Sequence, residues 1–279
     1  KIIKSYRDLP KLYNQWCTIV RWEKTTRPFL RSREILWQEG HTMHRTEEKA
    51  ISETLRMLHI YEDFQRNVLA IPVLVGKKTE KEKFAGAVAS YSLEAMMYDG
   101  VALQNGTSHY FGQGFAKAFG IQYLEQDNQL KTPYQTSWGV TTRMIGALIM
   151  VHGDDRGLVL PPHIAPTKVM IIPIGDDERV KEATAKISSE LKEAGITYQM
   201  DESNKTPGFK FAEAEVKGYP IRIEIGKRDL ENNEVTLVRR DTLEKIKCSL
   251  EDAVKEIPTL LENIQNDMYE KALKRRDSM

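Results

Sequence analysis

Between Trp16 and Thr42 the chain alternates in two strand-favouring runs separated by a turn that contains proline. Trp16, Ile19, Val20 and Trp22 are strand-favouring types, and KTTRP supplies the turn. Successive side chains of a strand point to opposite faces, so Arg21 and Glu23 share a face. On the return run Phe29, Arg31, Arg33, Ile35, Trp37, Glu39 and His41 share one. If the two faces coincide, one side of a hairpin gathers arginines, glutamates and a tryptophan. Charges on a half-covered sheet are costly to desolvate without partners. A ligand carrying anionic phosphates and a cationic amine supplies both kinds of partner. A solvent-facing strand pair with ordinary surface charge explains the alternation equally well.

Residues 45–69 carry the longest helical pattern, with Ile51, Leu55 and Leu58 on one face and Tyr61 and Val68 extending it. IPVLV then reads as a strand and KKTEKEK as a solvated turn. FAGAVASYSLEAMM, VALQNGTSHYF and IQYLEQ read as further strands or short turns. Strict alternation puts Gln104 and Thr107 on opposite faces, and Gly106 between them is a candidate bulge. Thr141 or Thr142 can cap a helix over IGALIMV. Arg143 then falls in the first helical turn, where the dipole disfavours a cation; a residue placed against local preference points to function. LPPHIAP at 160–166 marks a domain border. Beyond it strands alternate with helices: KVMIIPI, a helix that starts after Asp176, Asp177 and Glu178 and stops at Gly195, then ITYQMD, YPIRIEIG, EVTLVRRD and a helical tail. That order predicts a compact α/β unit. The expected domains are 1–163 and 164–279.

Composition narrows the function classes. Charge is abundant but balanced at a net +1, so any nucleic-acid contact must come from local patches. Cys17 and Cys248 form no CxxC pair, which gives neither a zinc motif nor a disulfide scaffold. The apolar run at GALIMV is too short to span a bilayer, and KIIKSYRDLP lacks a signal-peptide core. The expectation is a soluble, cytosolic protein with no membrane partner.

The string RWE, RPFLRSRE, WQEGHT resembles motif 2 of the class II aminoacyl-tRNA synthetases, and specifically the prolyl-tRNA synthetases of the archaeal and eukaryotic type. LQNGTSHYFGQGFAKAFG at 103–120 and SWGVTTRMIGALIMVHGDDRGLVLPP at 137–162 continue the match. The fold this implies is α/β overall: an antiparallel class II sheet with flanking helices (an α+β catalytic domain), followed by a smaller α/β anticodon-binding domain. The implied activity is ATP-dependent activation of proline and its transfer to tRNA(Pro), with ATP and Mg²⁺ as cofactors, L-proline and tRNA(Pro) as partners, and a homodimer in the full-length protein. The first residue is Lys1, so the chain is expected to be cut from something longer, with motif 1 and a T-x-E proline loop upstream. Two alternatives stay open: a non-catalytic tRNA-binding or regulatory protein on the same fold, or a fragment inactive without that loop.

The resemblance also implies residue roles. Arg21 corresponds to the arginine bridging the α-phosphate and the proline carboxyl, Glu23 lies beside the nucleotide, and Arg31 reaches the outer phosphates with Ser32 as its neighbour. Ile35 stands where the family commonly has an aromatic on adenine, which loses offset stacking. Gln104 and Thr107 face nucleotide, Mg²⁺ or its waters, with Gln104 the one side chain placed near the metal. Thr141 accompanies Arg143, which covers adenine and contacts the γ-phosphate; with Arg21 it forms the catalytic pair. Trp37, Glu39, Phe84, His109, Ser137, Trp138 and Gly139, with Arg21, outline the proline pocket. In the second domain Phe209 (with Phe211), Lys210, Glu215, Lys217 and Arg228 are expected to meet tRNA, by stacking, phosphate contact or base-edge contact.

Overall fold

The computed structural model describes residues 2–279, which divide into two compact units: residues up to 66 with 72–147, and 67–71 with 148–279. The first unit contains β1 (Lys11–Val20), β2 (Glu34–His44), α1 (Glu47–Asp63), β3 (Leu74–Lys77), β4 (Ala89–Met96), β5 (Ala102–Gly112), the short α2 (Gly114–Ala118), β6 (Tyr123–Leu124), β7 (Leu130–Lys131) and β8 (Tyr134–Thr141). Helix α3 (Arg143–His152) starts in the first unit and continues into the second. Six strands form an antiparallel sheet in the order β1-β2-β8-β5-β4-β3, and β6 and β7 make a separate two-stranded pair. Thr46 caps α1, and a π-helical turn over Phe64–Val68 follows it.

Helix α1 lies on one face of this sheet. The Ser108 hydroxyl donates to the Thr54 carbonyl at 2.7 Å, and Tyr61 meets the edge of the Trp138 indole at 6.5 Å between centroids. Side-chain parity then assigns the other face: Ile35, Trp37, Glu39 and His41 of β2 and Ser137, Gly139 and Thr141 of β8 look away from α1 into a cavity. The β5 strand would fall out of phase without its bulge. Leu93 pairs with Gly106 and Glu94 with Gln104, so the unpaired residue is Asn105, next to the glycine. The extra residue returns Gln104 to the face of Thr107 and His109.

Two expectations need correction. Phe29, Arg31 and Arg33 are not on the β2 face, because that strand begins at Glu34. The chain before it is a tight turn in which Arg27 and Arg31 exchange backbone bonds of 2.8 and 2.9 Å, and Phe29 takes a φ of +58°. Likewise the strand expected at IPVLV starts only at Leu74, since Ile71, Pro72 and Val73 precede it as buried, irregular chain.

The second unit contains β9 (Val169–Ile174), α4 (Glu178–Glu193), β10 (Tyr198–Met200), α5 (Pro207–Lys217), β11 (Ile221–Gly226), α6 (Lys227–Leu230), β12 (Glu234–Arg239), β13 (Lys245–Ser249) and α7 (Ala253–Asp277). Its sheet runs β10-β9-β11-β12-β13, parallel across β10, β9 and β11 and antiparallel from there on. Val169, Ile171, Ile221, Ile223, Val235 and Leu237 meet Val180, Ile187 and Leu191 of α4 and Ile257, Leu261 and Ile264 of α7 in one core. Burying each such side chain is worth about 1.5–3 kcal/mol. No helix among the described residues is long and apolar enough to cross a membrane.

A buried histidine makes this unit acid-sensitive. His152 donates from Nε2 to the Leu69 carbonyl at 2.9 Å, and burial pushes its pKa down to about 4. Between that value and the unfolded value near 6.5 the unfolded chain binds a proton that the folded chain does not. Stability is therefore expected to fall on acidification from about pH 6.5 towards 4 and to rise again with pH. His152→Gln should flatten that part of a Tm-against-pH curve, and an unchanged slope would contradict the assignment.

Candidate active site

The cavity on the open face of the first sheet has a volume of about 480 Å³, a size that suits a small ligand. One end is cationic. Arg21, at the exit of β1, lies over the Trp37 ring with its guanidinium carbon 5.6 Å from the centroid. Arg143 enters from the start of α3, where the Thr141 hydroxyl accepts its backbone N–H at 3.0 Å. The expected cap is thus Thr141. The Arg143 side chain donates to the carbonyls of Leu30 at 3.1 Å and Gln104 at 3.4 Å, and so ties the β1–β2 turn to β5. Burial first, then the like charges of Arg21 and Arg31, lower the Arg143 pKa. Convergent cations that destabilise one another in this way are arranged for an anion.

The other end is aromatic with a single carboxylate. Trp37, Phe84, His109 and Phe111 line it, with Phe84 and His109 5.2 Å apart between centroids, whereas Trp138 borders it from the sheet but turns its indole to Tyr61 on the α1 face. Glu39 faces this end; it accepts from the Gln15 amide on β1 and lies 3.5 Å from His41. The Ser90 hydroxyl accepts the Phe84 backbone N–H at 3.0 Å, which leaves its own hydrogen to donate to His109 Nδ1 at 2.8 Å. Burial, with the Lys78 charge assisting, pushes the His109 pKa down to about 4, so this wall is neutral at physiological pH. Gly139 allows the strands to close on this floor, because a Cβ there would stand 3.0 Å from the Gln38 carbonyl oxygen.

Most of the sequence-predicted set is brought together here: Arg21, Ser32, Ile35, Trp37, Glu39, Phe84, Gln104, Thr107, His109, Ser137, Trp138, Gly139, Thr141 and Arg143 all line the one cavity. Glu23 and Arg31 do not. They pair with each other at 2.6 Å and line an adjoining recess with Lys24, Thr25 and Arg27. His41, which alternation puts on the same face, lines the cavity too; sequence reasoning gives no sign of Lys78 and Glu82, which also line it, or of Gln15, which holds Glu39. Lys78 belongs to the charged run KKTEKEK, whose composition alone predicts a solvated turn.

The second unit treats its expected tRNA contacts unequally. Phe209 is exposed under the Lys205 ammonium, Lys217 is exposed beside Glu213, and Arg228 is exposed on α6. Lys210 must be corrected. It is 6% exposed, on the buried side of α5, its ammonium donating to the Asp201 carbonyl at 2.9 Å with the Asp201 carboxylate 3.8 Å away, so it is not presented to a phosphate. Glu215 has both oxygens engaged, by Arg156 at 2.8 Å and Arg222 at 3.0 Å. Arg222 in turn stacks on Phe211 at 4.5 Å and pairs with Glu224, which also holds Lys245. Asp154 receives both arms of Arg240 at 2.6 and 2.8 Å, which hold its pKa down to about 2.

Residues 1–152 match the tRNA synthetase class II core domain (G, H, P, S and T), and residues 168–260 match an anticodon binding domain. The chain belongs to the class II tRNA synthetases. Within that family it is 58% identical over 277 residues to a proline--tRNA ligase of Lachnospira eligens, covering 99% of this chain and 58% of that protein. It is 60% identical over 278 residues to the proline--tRNA ligase of Ruminiclostridium cellulolyticum, with the same shares. A crystal structure of prolyl-tRNA synthetase from Cryptosporidium parvum complexed with L-proline and AMP superposes with a TM-score of 0.96 at 43% identity, over 99% of this chain and 61% of that one. The same enzyme complexed with halofuginone and AMPPNP gives the same TM-score. The chain thus spans 58% of the length of these two ligases. The antiparallel core sheet followed by a smaller α/β unit is the architecture the sequence motifs implied.

Proposed function

We propose that this chain carries the adenylating and tRNA-reading portions of a proline–tRNA ligase. What supports the reading most is the single cavity in which the Arg21 and Arg143 cations face the Glu39 carboxylate across an aromatic wall. The proline carboxylate attacks the α-phosphate of ATP in line; a new carboxyl O–P bond forms as the bond to the bridging oxygen breaks, and pyrophosphate leaves with the electron pair. A terminal ribose hydroxyl of the tRNA then attacks the carbonyl and releases AMP. Neither step needs a protein nucleophile, so the residues act by positioning and charge neutralisation. Arg21 bridges carboxylate and α-phosphate, its planar fork being suited to both. Glu39 receives the cationic ring nitrogen of proline, while Trp37, Phe84 and His109 wall the ring over Ser137 and Gly139, and Trp138 supports that floor from the α1 side. Neutral His109 suits a wall beside a cationic amine.

Arg143 and Ile35 enclose adenine, with Thr141 holding the start of α3. Ser32, Gln104 and Thr107 border the phosphates, and the Glu23–Arg31 pair opens towards the outer ones. Among the described residues no three His, Cys, Asp or Glu side chains cluster as metal ligands. Mg²⁺, which the family resemblance implies, keeps its waters and is held chiefly by substrate phosphates. Gln104 is the side chain that would hold it, and the ion would supply charge neutralisation on the phosphates. Phe209, Lys217 and Arg228 carry the tRNA contacts, while Glu215, held by Arg156 and Arg222, supports that face from behind. The domains are 1–163 and 164–279, and the resemblance supports a homodimeric full-length enzyme working in the cytoplasm. Exchange of labelled pyrophosphate into ATP by a full-length ligase carrying this chain tests the reading. It should require proline; exchange that ignores proline would overturn it.

If Ile35 faces adenine, an aromatic there restores stacking. Ile35→Phe is expected to tighten ATP binding by about 0.5–1.5 kcal/mol, with proline affinity hardly moved. Calorimetric titration checks both numbers, and flat or weaker ATP binding would show that adenine sits elsewhere.

A further inference from the structure

Lys78 is half-buried in the loop after β3, whereas Lys77 and Lys81 on either side are exposed. Its backbone N–H donates to the Ser90 carbonyl at 2.8 Å, which fixes the start of the loop against β4 and directs the side chain into the cavity. There the ammonium donates to the side-chain carbonyl oxygen of Gln104. This is a neutral acceptor, unlike the carboxylate of Glu80 that takes up Lys83 at 2.6 Å in the same loop. Arg143 approaches the same residue from its other side, on the Gln104 backbone carbonyl at 3.4 Å. One glutamine is thus bracketed by two cations, and a polyanion seated on Arg143 meets Lys78 next.

We propose that Lys78 is a phosphate-binding residue of the adenylation cavity, held in readiness by Gln104 and engaging the phosphates that leave as pyrophosphate. The inference rests on the reading of the cavity as an ATP site. An ammonium bonded to a neutral amide keeps its full charge and two further donors, since a Lys side chain carries three. Phosphate oxygens form stronger, charge-assisted bonds than an amide oxygen, so the side chain gains by shifting to them. That shift also frees the Gln104 carbonyl oxygen on the phosphate side of the cavity. A lysine serving only the loop's solubility needs none of this placement.

The test is calorimetric binding of ATP, AMP and inorganic pyrophosphate to a full-length ligase carrying this chain, comparing wild type with Lys78→Ala, Lys78→Arg and, as a control in the same loop, Lys81→Ala. Lys78→Ala is expected to weaken ATP and pyrophosphate about tenfold or more while AMP stays within about twofold. Lys78→Arg should recover most of the loss, and Lys81→Ala should match wild type. Unchanged ATP and pyrophosphate affinity in Lys78→Ala, with tight ATP binding by wild type, overturns the role of Lys78 alone. An equal loss for ATP and AMP overturns it too, by showing that Lys78 acts only through Gln104. Wild type that does not bind ATP at all overturns the adenylation reading beneath it.

Discussion

Arg21→Ala should abolish practical adenylate formation, lowering proline-dependent pyrophosphate exchange by about 10²–10³-fold. That is roughly 3–4 kcal/mol, the scale for removing a preorganised donor aimed at developing charge. The effect is expected in the rate and not in the fold. The side chain is exposed and rests on the Trp37 face, and the strand pairing beside it is carried by backbone, with the Arg21 N–H on the Arg33 carbonyl at 2.7 Å. Melting temperature should therefore stay close to wild type while exchange collapses. Near-normal exchange, or a collapse in both together, would remove Arg21 from its bridging role.

Gly40→Ala is the second large effect, and it arises from packing. A Cβ at Gly40 would stand 2.1 Å from the Trp138 Cη2, 2.2 Å from Cζ3 and 2.3 Å from Cζ2. The indole lies flat across the glycine from the paired position on β8 and is 7% exposed, with Tyr61 against it. A rigid ring has no flexible end to yield, so either the strands separate beneath the cavity floor or the indole is pushed into Tyr61 and α1. Overpacking typically costs about 1–3 kcal/mol, and this contact belongs at the top of that range or beyond. Gly40→Ala should lose several degrees of melting temperature and most proline affinity. Gly76→Ala, where nothing lies within 4 Å, should show neither loss. Wild-type stability and proline binding in Gly40→Ala would mean that Trp138 does not pack on Gly40 behind the floor.

What was legible in the sequence was set by local rules. Alternation in WQEGHT predicted which side chains of β2 share a face, and a glycine between Gln104 and Thr107 signalled the bulge that brings them together. Asp177 and Gly195 bounded α4 as caps do. Contacts that cross the chain were not legible. Nothing near Lys78 announces that Gln104 will stand beside it, and nothing near Asp154 announces Arg240. Lys210 is a different failure. Its spacing of four from the buried Ala214 places it on the inner face of α5, a signal that was available had NKTPGFKFAEAEVK been read as a helix opening at Pro207 and closing at Gly218. Glu23 and Arg31 were assigned by motif alone, and the turn that separates them from the cavity depends on Phe29 taking a left-handed conformation that alternation does not encode.

The most direct measurement is calorimetric titration with a non-hydrolysable prolyl-adenylate analogue, set against ATP and proline alone. If Arg21, Glu39 and Arg143 line one continuous site, joining the two ligands should tighten binding by about 10²–10⁴-fold over either part, because the second contact becomes intramolecular. The gain should vanish in Arg21→Ala, and an analogue carrying a different amino acid should not show it. An analogue bound no more tightly than ATP would mean that the proline and nucleotide ends of the cavity do not act as one site.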